Sequence, residues 1–484
     1  MDDGVRVRAG GTGDMPPEVF REHARAVADW MADYLAGVGE LPVLAPVRPG
    51  DVRRSLPGAP PDAGEPMERI LEDFRDRVMP GVTHWNHPDF FAYFAVTGSG
   101  PGILGEMVAA ALNVNAMVWR SSPAATELEE LTLDWLRQLL GLPAGFDGTI
   151  NDTASLSTLH ALAAARAAAY PEAGGGGLAG APRGRVYCSE QAHSSVDKAV
   201  LTLGFGREGV RHVATDEAFR MRPDALAAAL EEDRVAGVRP VAVVATLGTT
   251  STTSVDPVAD VARLAGEHGC WLHVDAAYAG PAAMVPELAH HFAGWEEADS
   301  IVVNPHKWLF TPIDCSVLYT RRPDVLRGAF SLTPEYLRTA EQGEARNLMD
   351  YGVALGRRFR SLKLWFVLRW FGREGIVARL RAHVAWASEL ADRLDEAPGW
   401  ERGAPVPFST VVLRWAPEGL SPEEQDAANA RNLDRVNAGG RAFLSHTVLG
   451  ERTWIRVSIG NLRTTREDVA RVWGLLEEAA GAEG

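Results

Sequence analysis

The sequence is short of lysine, of cysteine and of long apolar runs, and each shortage excludes something. Only three lysines, Lys198, Lys307 and Lys363, stand among 48 basic residues, so arginine carries nearly all the positive charge. Acidic residues still outnumber basic ones, and the net charge is −16. Such a surface repels nucleic acid and anionic membranes, so neither is expected as a partner. Three cysteines, Cys188, Cys270 and Cys315, lie far apart among apolar neighbours and lack metal-ligand spacing. They suit a reducing cytoplasm. No N-terminal segment joins basic residues to an apolar stretch in the manner of an export signal. The most apolar helical stretches are interrupted by Glu106 or Arg166, well short of a membrane span.

What is present is an alternation of strand-like and helix-like segments. Residues 17–37 have helical apolar spacing, and the proline-rich stretch 41–66 that follows reads as an extended connection. A helix over 66–79 completes an N-terminal part with little core of its own. The runs at 185–189, 210–215, 241–248, 270–276 and 300–305 are short and β-rich, with helical segments such as 223–232 and 256–268 between several of them. This pattern predicts an α/β fold with a largely parallel sheet covered on both faces. A long helix over about 357–372 leads to a final part that mixes helices (379–396, 466–480) with strands (409–415, 453–459). The expected domains are an arm over 1–84, a large domain over 85–372 and a small α+β domain over 373–484.

The residues with chemical potential fall at the carboxyl ends of the predicted strands, where open α/β sheets bind ligands. Lys307, in "NPHKW", ends a buried strand. A lysine there loses solvation unless it is paired or neutralised, and imine formation with an aldehyde cofactor is one solution. On its own it reads as a surface lysine. Asp275 closes the strand "WLHVD"; it could hold a pyridine nitrogen protonated, or it could cap a turn. His193 follows a strand and precedes a helix, where its ring could stack on a cofactor or simply precede a serine cap. Thr153 and Ser155 precede a strongly helical run, a start suited to phosphate or to an ordinary cap.

Taken together and in this order, the four signals resemble the fold-type I pyridoxal-phosphate enzymes, of the aspartate aminotransferase-like fold. The longer matches "FRDRVMPGVTHWNHPDFFAYF" (74–94), "SSPAATELE" (121–129), "VATLGTT" (244–250), "HVDAAYAG" (273–280), "NPHKW" (304–308) and "GRRFRSLKLWFVLR" (356–369) resemble the group II decarboxylases. That family includes the aromatic L-amino-acid, tyrosine and histidine decarboxylases, and the resemblance runs from about residue 17 to 480. It implies pyridoxal 5'-phosphate as cofactor, an amino acid as substrate and an intertwined homodimer with shared active sites, which would explain the N-terminal arm. It also implies roles by position. Lys307 would carry the cofactor, Asp275 would pair with its ring nitrogen, and His193 would stack on the ring. Thr153, Ala154 and Ser155 would hold the phosphate, while Thr250, Ala277, Asn304 and His306 would line the cofactor. Trp85, Tyr93, Phe94 and Arg456 match substrate-side positions.

The sequence departs from the family in the loop over 339–360. Counted back from "LGRRFR", the position of the family's proton-donating tyrosine is Leu348, which has no proton to give. Tyr351 is three residues later. Val96, Asn115 and Met117 also differ from aromatic-specific members, so the pocket is expected to take an aromatic or modified side chain. Three fates follow for the carbanion at Cα: protonation to an amine by another group, reaction with O₂ to an aldehyde, CO₂ and ammonia, or expulsion of a β-substituent, as in a C–S lyase. A fourth reading, an inactive scaffold with this fold, is opposed by the intact Lys307, Asp275 and His193.

Overall fold

The computed structural model describes residues 13–174, 177–332 and 345–482. The chain opens with helices α1 (Pro17–Gly37), α2 (Asp51–Ser55) and α3 (Met67–Asp73). Helix α2 interrupts the proline-rich stretch expected to be wholly extended. Its start is fixed locally, because Arg48 N–H donates to the Asp51 carboxylate at 2.7 Å. Helices α4 (Gly100–Leu112) and α5 (Pro123–Leu139) then lead to the sheet.

Seven strands alternate with helices through the middle of the chain. They are β1 (Asp147–Asn151), β2 (Gly184–Ser189), β3 (Val210–Val213), β4 (Arg239–Thr246), β5 (Trp271–Asp275), β6 (Ser300–Val303) and β7 (Ser316–Thr320), in the spatial order β1-β7-β6-β5-β4-β2-β3. Only β7 runs against its neighbours. The intervening helices are α6 (Ala154–Ala169), α7 (Ser195–Thr202), α8 (Pro223–Val235), α9 (Val258–Glu267), α10 (Pro305–Trp308) and α11 (Pro323–Phe330).

Alternate residues of β4 serve opposite faces of the sheet, as a two-residue period requires. Val243 and Ala245 enter the core on one face, with Leu226 and Leu230 of α8 and Val258 and Val261 of α9. Ala242 and Val244 enter the core on the other, with Leu162 of α6 and Val200 of α7. Burial on both faces is why these strands read as continuous apolar runs.

Strand β1 lies at the sheet's edge, and its outer polar groups are taken up by side chains. Ile150 N–H donates to Glu129 at 3.0 Å, Arg357 donates to Ile150 O, and Arg346 donates to Gly148 O at 2.9 Å. Glu129 and Arg357 form a buried ion pair at 3.0 Å.

The expected helix at 357–372 starts at Ser361 and continues to Glu396 as α12, bent at Gly372, whose φ of 59° only glycine adopts readily. Strands β8 (Trp400–Arg402), β9 (Thr410–Trp415), β10 (Ser445–Leu449) and β11 (Arg452–Ser458) form an antiparallel sheet in the order β10-β11-β9-β8. Helix α13 (Pro422–Ala438) lies between β9 and β10, and α14 (Arg466–Gly481) ends the chain.

The chain divides into two compact units, and they do not follow the expected boundaries at 84/85 and 372/373. One unit holds residues up to Phe90 with Ala430–Leu444 and Arg463–Gly484; the other holds Phe91–Asn429 and Ser445–Leu462. Both sheets belong to the second. In the first, Arg471 of α14 donates to both oxygens of Asp89 at 2.9 Å. Burial nevertheless raises the Asp89 carboxyl to about 6.

Four histidines of the second unit are buried neutral. Burial pushes His160 and His273 down to about 4, and His306 and His383 down to about 3. An unfolded chain protonates these rings below the ordinary histidine pKa, and the folded chain does not, so their contribution to stability is lost as pH falls from about 6.5 towards 4. Asp89 and Asp256, both raised to about 6, act in the opposite sense over that window. The balance is about two protons, or roughly 3 kcal/mol per pH unit. Urea midpoints measured from pH 7 to 4 are expected to fall at least that steeply, since burial lowers His84, His87, His193 and His291 as well. His383→Gln, which retains an acceptor for the Trp308 indole N–H, is expected to flatten the slope by about one proton.

Candidate active site

The parallel strands deliver their carboxyl ends to one edge of the sheet, and the site residues follow directly from those ends. Thr153 follows β1, His193 follows β2, Thr250 follows β4, Asp275 ends β5, and Lys307 follows β6. In register, Asp275 lies opposite Thr246 on β4 and Val302 on β6.

Lys307 sits on α10. It is half-buried by surface, yet surrounding protein desolvates its amine, and that desolvation is the main cause lowering its pKa; the Asp275 carboxylate opposes the shift and the Arg456 charge adds to it. The side-chain nitrogen has no hydrogen-bond or ion-pair partner among the described residues. Its contact is the face of Phe94, 5.2 Å from the ring centroid. The Arg456 guanidinium approaches the same ring at 5.3 Å. Phe94 stacks on Tyr278 at 3.8 Å, and Tyr278 on Trp308 at 4.8 Å, so the ring facing both cations is backed by a rigid aromatic pile.

Arg456, on β11, is almost fully buried. It donates to Ser251 O at 3.0 Å, to Ser445 Oγ at 3.1 Å and to Tyr93 O at 3.4 Å. Its Nη2 has no acceptor among the described residues. Burial pushes its pKa down to about 10, with the Tyr278 hydroxyl opposing.

His193 is oriented by its neighbour. Ser195 N–H donates to Nδ1 at 3.2 Å, so Nδ1 is the acceptor and Nε2 carries the proton. Burial lowers its pKa; Asp275 raises it, and Lys307 and Lys198 lower it further. His193, Asp275 and Lys307 are thus within one another's electrostatic field. Asp275 accepts Ala277 N–H at 3.0 Å, which accounts for Ala277. Cys315 N–H donates to His306 Nδ1 at 2.9 Å, so its Nε2–H faces the Asn304 amide at 3.3 Å. That contact is satisfied with the Asn304 oxygen turned to the ring, leaving the amide NH₂ as a donor.

Thr153 is the extended N-cap of α6 and makes no side-chain cap bond. Ala154 and Ser155 occupy the first turn, with the unpaired backbone N–H groups of a helix start. Thr250 is exposed at the tip of a loop closed by the bridge Leu247–Val255 and stiffened by hydroxyl contacts Thr249–Thr252 at 3.0 Å and Thr252–Ser254 at 2.7 Å.

These residues fit pyridoxal phosphate. An unpaired lysine amine, a carboxylate within its field, a protonated imidazole nitrogen and a helix N-terminus are the four groups that an aldehyde, a pyridine nitrogen, a ring and a phosphate require. Thr246 Oγ1, beside Asp275, and Ser189 Oγ, at the end of β2, are further buried polar atoms without partners among the described residues.

Of the remaining expected positions, Tyr93 borders the site through its backbone carbonyl, which accepts from Arg456. Tyr93 is exposed with φ 54°, and Val96 is half-buried. Trp85 belongs to the first unit, where it stacks on Phe90 at 4.4 Å. Asn115, Met117 and Leu348 come together, but in a second place. Asn115 Oδ1 accepts Arg357 N–H at 3.0 Å, and Met117 O accepts Met349 N–H at 3.0 Å. Leu348 is buried among Ala109, Ala116, Ala125, Phe359 and Leu362. Among the described residues no contact joins this patch to Lys307. Part of the 339–360 loop, residues 339–344, lies outside the described residues. Sequence reasoning passed over Ser251, Tyr278 and Trp308. The two aromatics sit inside "HVDAAYAG" and "NPHKW" and were visible there as neighbours of the charged residues.

The pyridoxal-dependent decarboxylase conserved domain matches residues 49–414. The chain belongs to this family, and pyridoxal phosphate is its cofactor. Among its relatives, a phenylacetaldehyde synthase of Arabidopsis thaliana is 39% identical over 480 residues, covering 96% of each chain. Tryptophan decarboxylase 1 of Oryza sativa subsp. japonica is 38% identical over 477 residues, covering 95% of this chain and 93% of its own. Among solved structures, Oryza sativa TDC with PLP and tryptamine superposes with a TM-score of 0.95 at 37% identity, over 98% of this chain and 100% of that one. Rhodiola rosea 4-hydroxyphenylacetaldehyde synthase does so with 0.90 at 32%, over 97% and 99%.

Lys307→Ala is expected to abolish the violet absorption that the purified protein shows with pyridoxal phosphate, while far-ultraviolet circular dichroism stays unchanged. A violet band surviving in that variant would remove Lys307 from the cofactor.

Proposed function

We propose that the protein decarboxylates an L-amino acid with an aromatic or modified side chain and releases mainly the aldehyde rather than the amine. Bound pyridoxal phosphate supplies an aldehyde carbon for amine capture and a pyridinium ring that accepts the electron pair left when a Cα substituent departs. The rest is the work of this chain's residues. Lys307, with a lowered pKa, presents a larger fraction of free amine than an exposed lysine would. Asp275 would hold a proton on the ring nitrogen. The N–H groups of Ala154 and Ser155 receive the phosphate at the start of α6. His193, with its proton on Nε2, would stack on the ring and offer that N–H as a donor. Arg456 Nη2, a donor without an acceptor, suits the substrate carboxylate.

The observation that carries the product assignment is the burial of Leu348. The position from which a tyrosine would protonate Cα holds an aliphatic side chain, only 1% exposed and packed in an apolar cluster. Tyr351 does not replace it. Its ring lies under the Arg346 guanidinium at 4.0 Å, and burial raises its pKa, which makes it a weaker acid. A carbanion left unprotonated reacts with O₂. One amino acid, one O₂ and one water then give aldehyde, CO₂, ammonia and hydrogen peroxide.

A homodimer with shared sites is part of the same reading. Asn115, Met117 and Leu348 form a patch apart from Lys307, as residues serving a second copy would. Leu104, Met107, Val108 and Leu112 form an exposed apolar row on α4, at the spacing of one helix face. A second copy would cover that row. The free thiols accord with a cytoplasmic location.

The test is one incubation with a panel of amino acids, aromatic and S-substituted, in which CO₂, aldehyde, amine, thiol and O₂ uptake are followed together. Aldehyde and O₂ uptake are expected to match CO₂ one for one. Amine alone matching CO₂ would sink the proposal. Leu348→Tyr is expected to raise the amine-to-aldehyde ratio at least about tenfold, at the low end of what a placed general acid contributes.

A further inference from the structure

His160 is a buried histidine that the chemistry above does not use. It lies on α6, six residues past Ala154 and so about 9 Å along the helix from the phosphate end. Three contacts converge on its ring. Val353 N–H donates to Nε2 at 3.2 Å. The backbone of Gly352 lies so close that a Cβ there would collide with Cε1, which is why a glycine stands at this extended position. Phe330 meets the ring edge-on at 4.8 Å.

These contacts come from both sides of residues 333–344. Phe330 ends α11, and Gly352 and Val353 follow the turn Leu348–Tyr351. A second tie parallels the first: Ser331 Oγ donates to Asp350 at 3.3 Å, and Arg327 pairs with Asp350 at 3.8 Å. The segment after the turn is held further on by Arg357, through Glu129 and Ile150 O. His160 is the point at which α6 itself grips this segment by a hydrogen bond.

The tautomer is set. Because Nε2 accepts from Val353, the ring proton is on Nδ1, which has no partner among the described residues. The ring is neutral, with burial pushing its pKa to about 4 and the Arg357 charge acting in the same direction. An uncharged acceptor is therefore available to Val353 across the physiological range.

We propose that His160 is a positioning residue that couples cofactor binding at the start of α6 to the order of the 345–357 segment carrying Leu348. A phosphate held by the first turn restrains the helix, and the acceptor two turns on passes that restraint to the Val353 amide. The proposal rests on the placement of the phosphate at α6, and its test separates the two.

The test is hydrogen exchange of amides 345–357 in the full chain, with and without pyridoxal phosphate, with violet absorption recorded on every sample. In the unsubstituted protein the cofactor is expected to slow exchange at Val353 at least about fivefold, the scale of one hydrogen bond. His160→Phe keeps a ring against Phe330 but has no acceptor, and is expected to abolish the slowing while violet absorption remains. His160→Gln, whose side-chain oxygen can accept from Val353, is expected to restore it. Gly352→Ala, which forces the segment off the ring, should repeat the loss. Slowing that persists in His160→Phe, or that is missing in the unsubstituted protein, overturns the proposal. A residue needed only for packing would lower the melting temperature of His160→Phe and leave the cofactor's effect on exchange intact. Loss of the violet band, by contrast, would bear on Lys307 and the cofactor itself.

Discussion

A cation buried without a counter-ion in contact is the condition around which the site is organised. Lys307 and Arg456 approach the same phenylalanine ring, and both have lowered pKa values because protein has replaced water around them. One carboxylate, Asp275, lies in the field of Lys307, and one guanidinium nitrogen of Arg456 has no acceptor among the described residues. Desolvated charges are tolerated only when something compensates them. The compensation missing here is negative, and in the proposed reading a substrate carboxylate at Arg456 Nη2 supplies it. The aromatic pile behind Phe94 fixes the geometry in which that anion is received.

Much of this was legible in the residues alone. Strand ends marked by Asp275 and Lys307 could be read because buried parallel strands are continuous apolar runs that stop at the first polar side chain. Five of the seven strands of the large sheet were found in that way. β1 was not, because "DGTIN" has three residues of low strand propensity and gains its stability from Glu129, Arg346 and Arg357, all remote in sequence. β7 follows closely on the Lys307 turn, so it offered no helix-to-strand change of period. The long bent helix was read as two because Gly372 breaks the pattern where the backbone itself bends. Arg456 was found by likeness to the family and not by any local signal, since an arginine in a strand says nothing about a buried nitrogen left over.

Overall likeness does not decide the product. Relatives named as aldehyde synthases and relatives named as decarboxylases match this chain over nearly its full length at almost the same identity. Their shared residues describe the handling of the cofactor. In the proposed reading the discriminating chemistry is a proton donor or its absence, a difference of one or two side chains. In this chain the relevant position lies inside an apolar cluster, held by a segment that is pinned at Arg346, Asn347, Val353 and Arg357.

The pairing of the outer groups of β1 by Arg346, Glu129 and Arg357 has a consequence for assembly. An open strand edge is a template on which foreign strands can grow, and on this one Ile150 N–H, Ile150 O and Gly148 O are already taken by side chains. Growth of the sheet by edge-to-edge addition is therefore disfavoured on the β1 side. The ion pair that holds the segment bearing Leu348 thus also closes one edge of the large sheet.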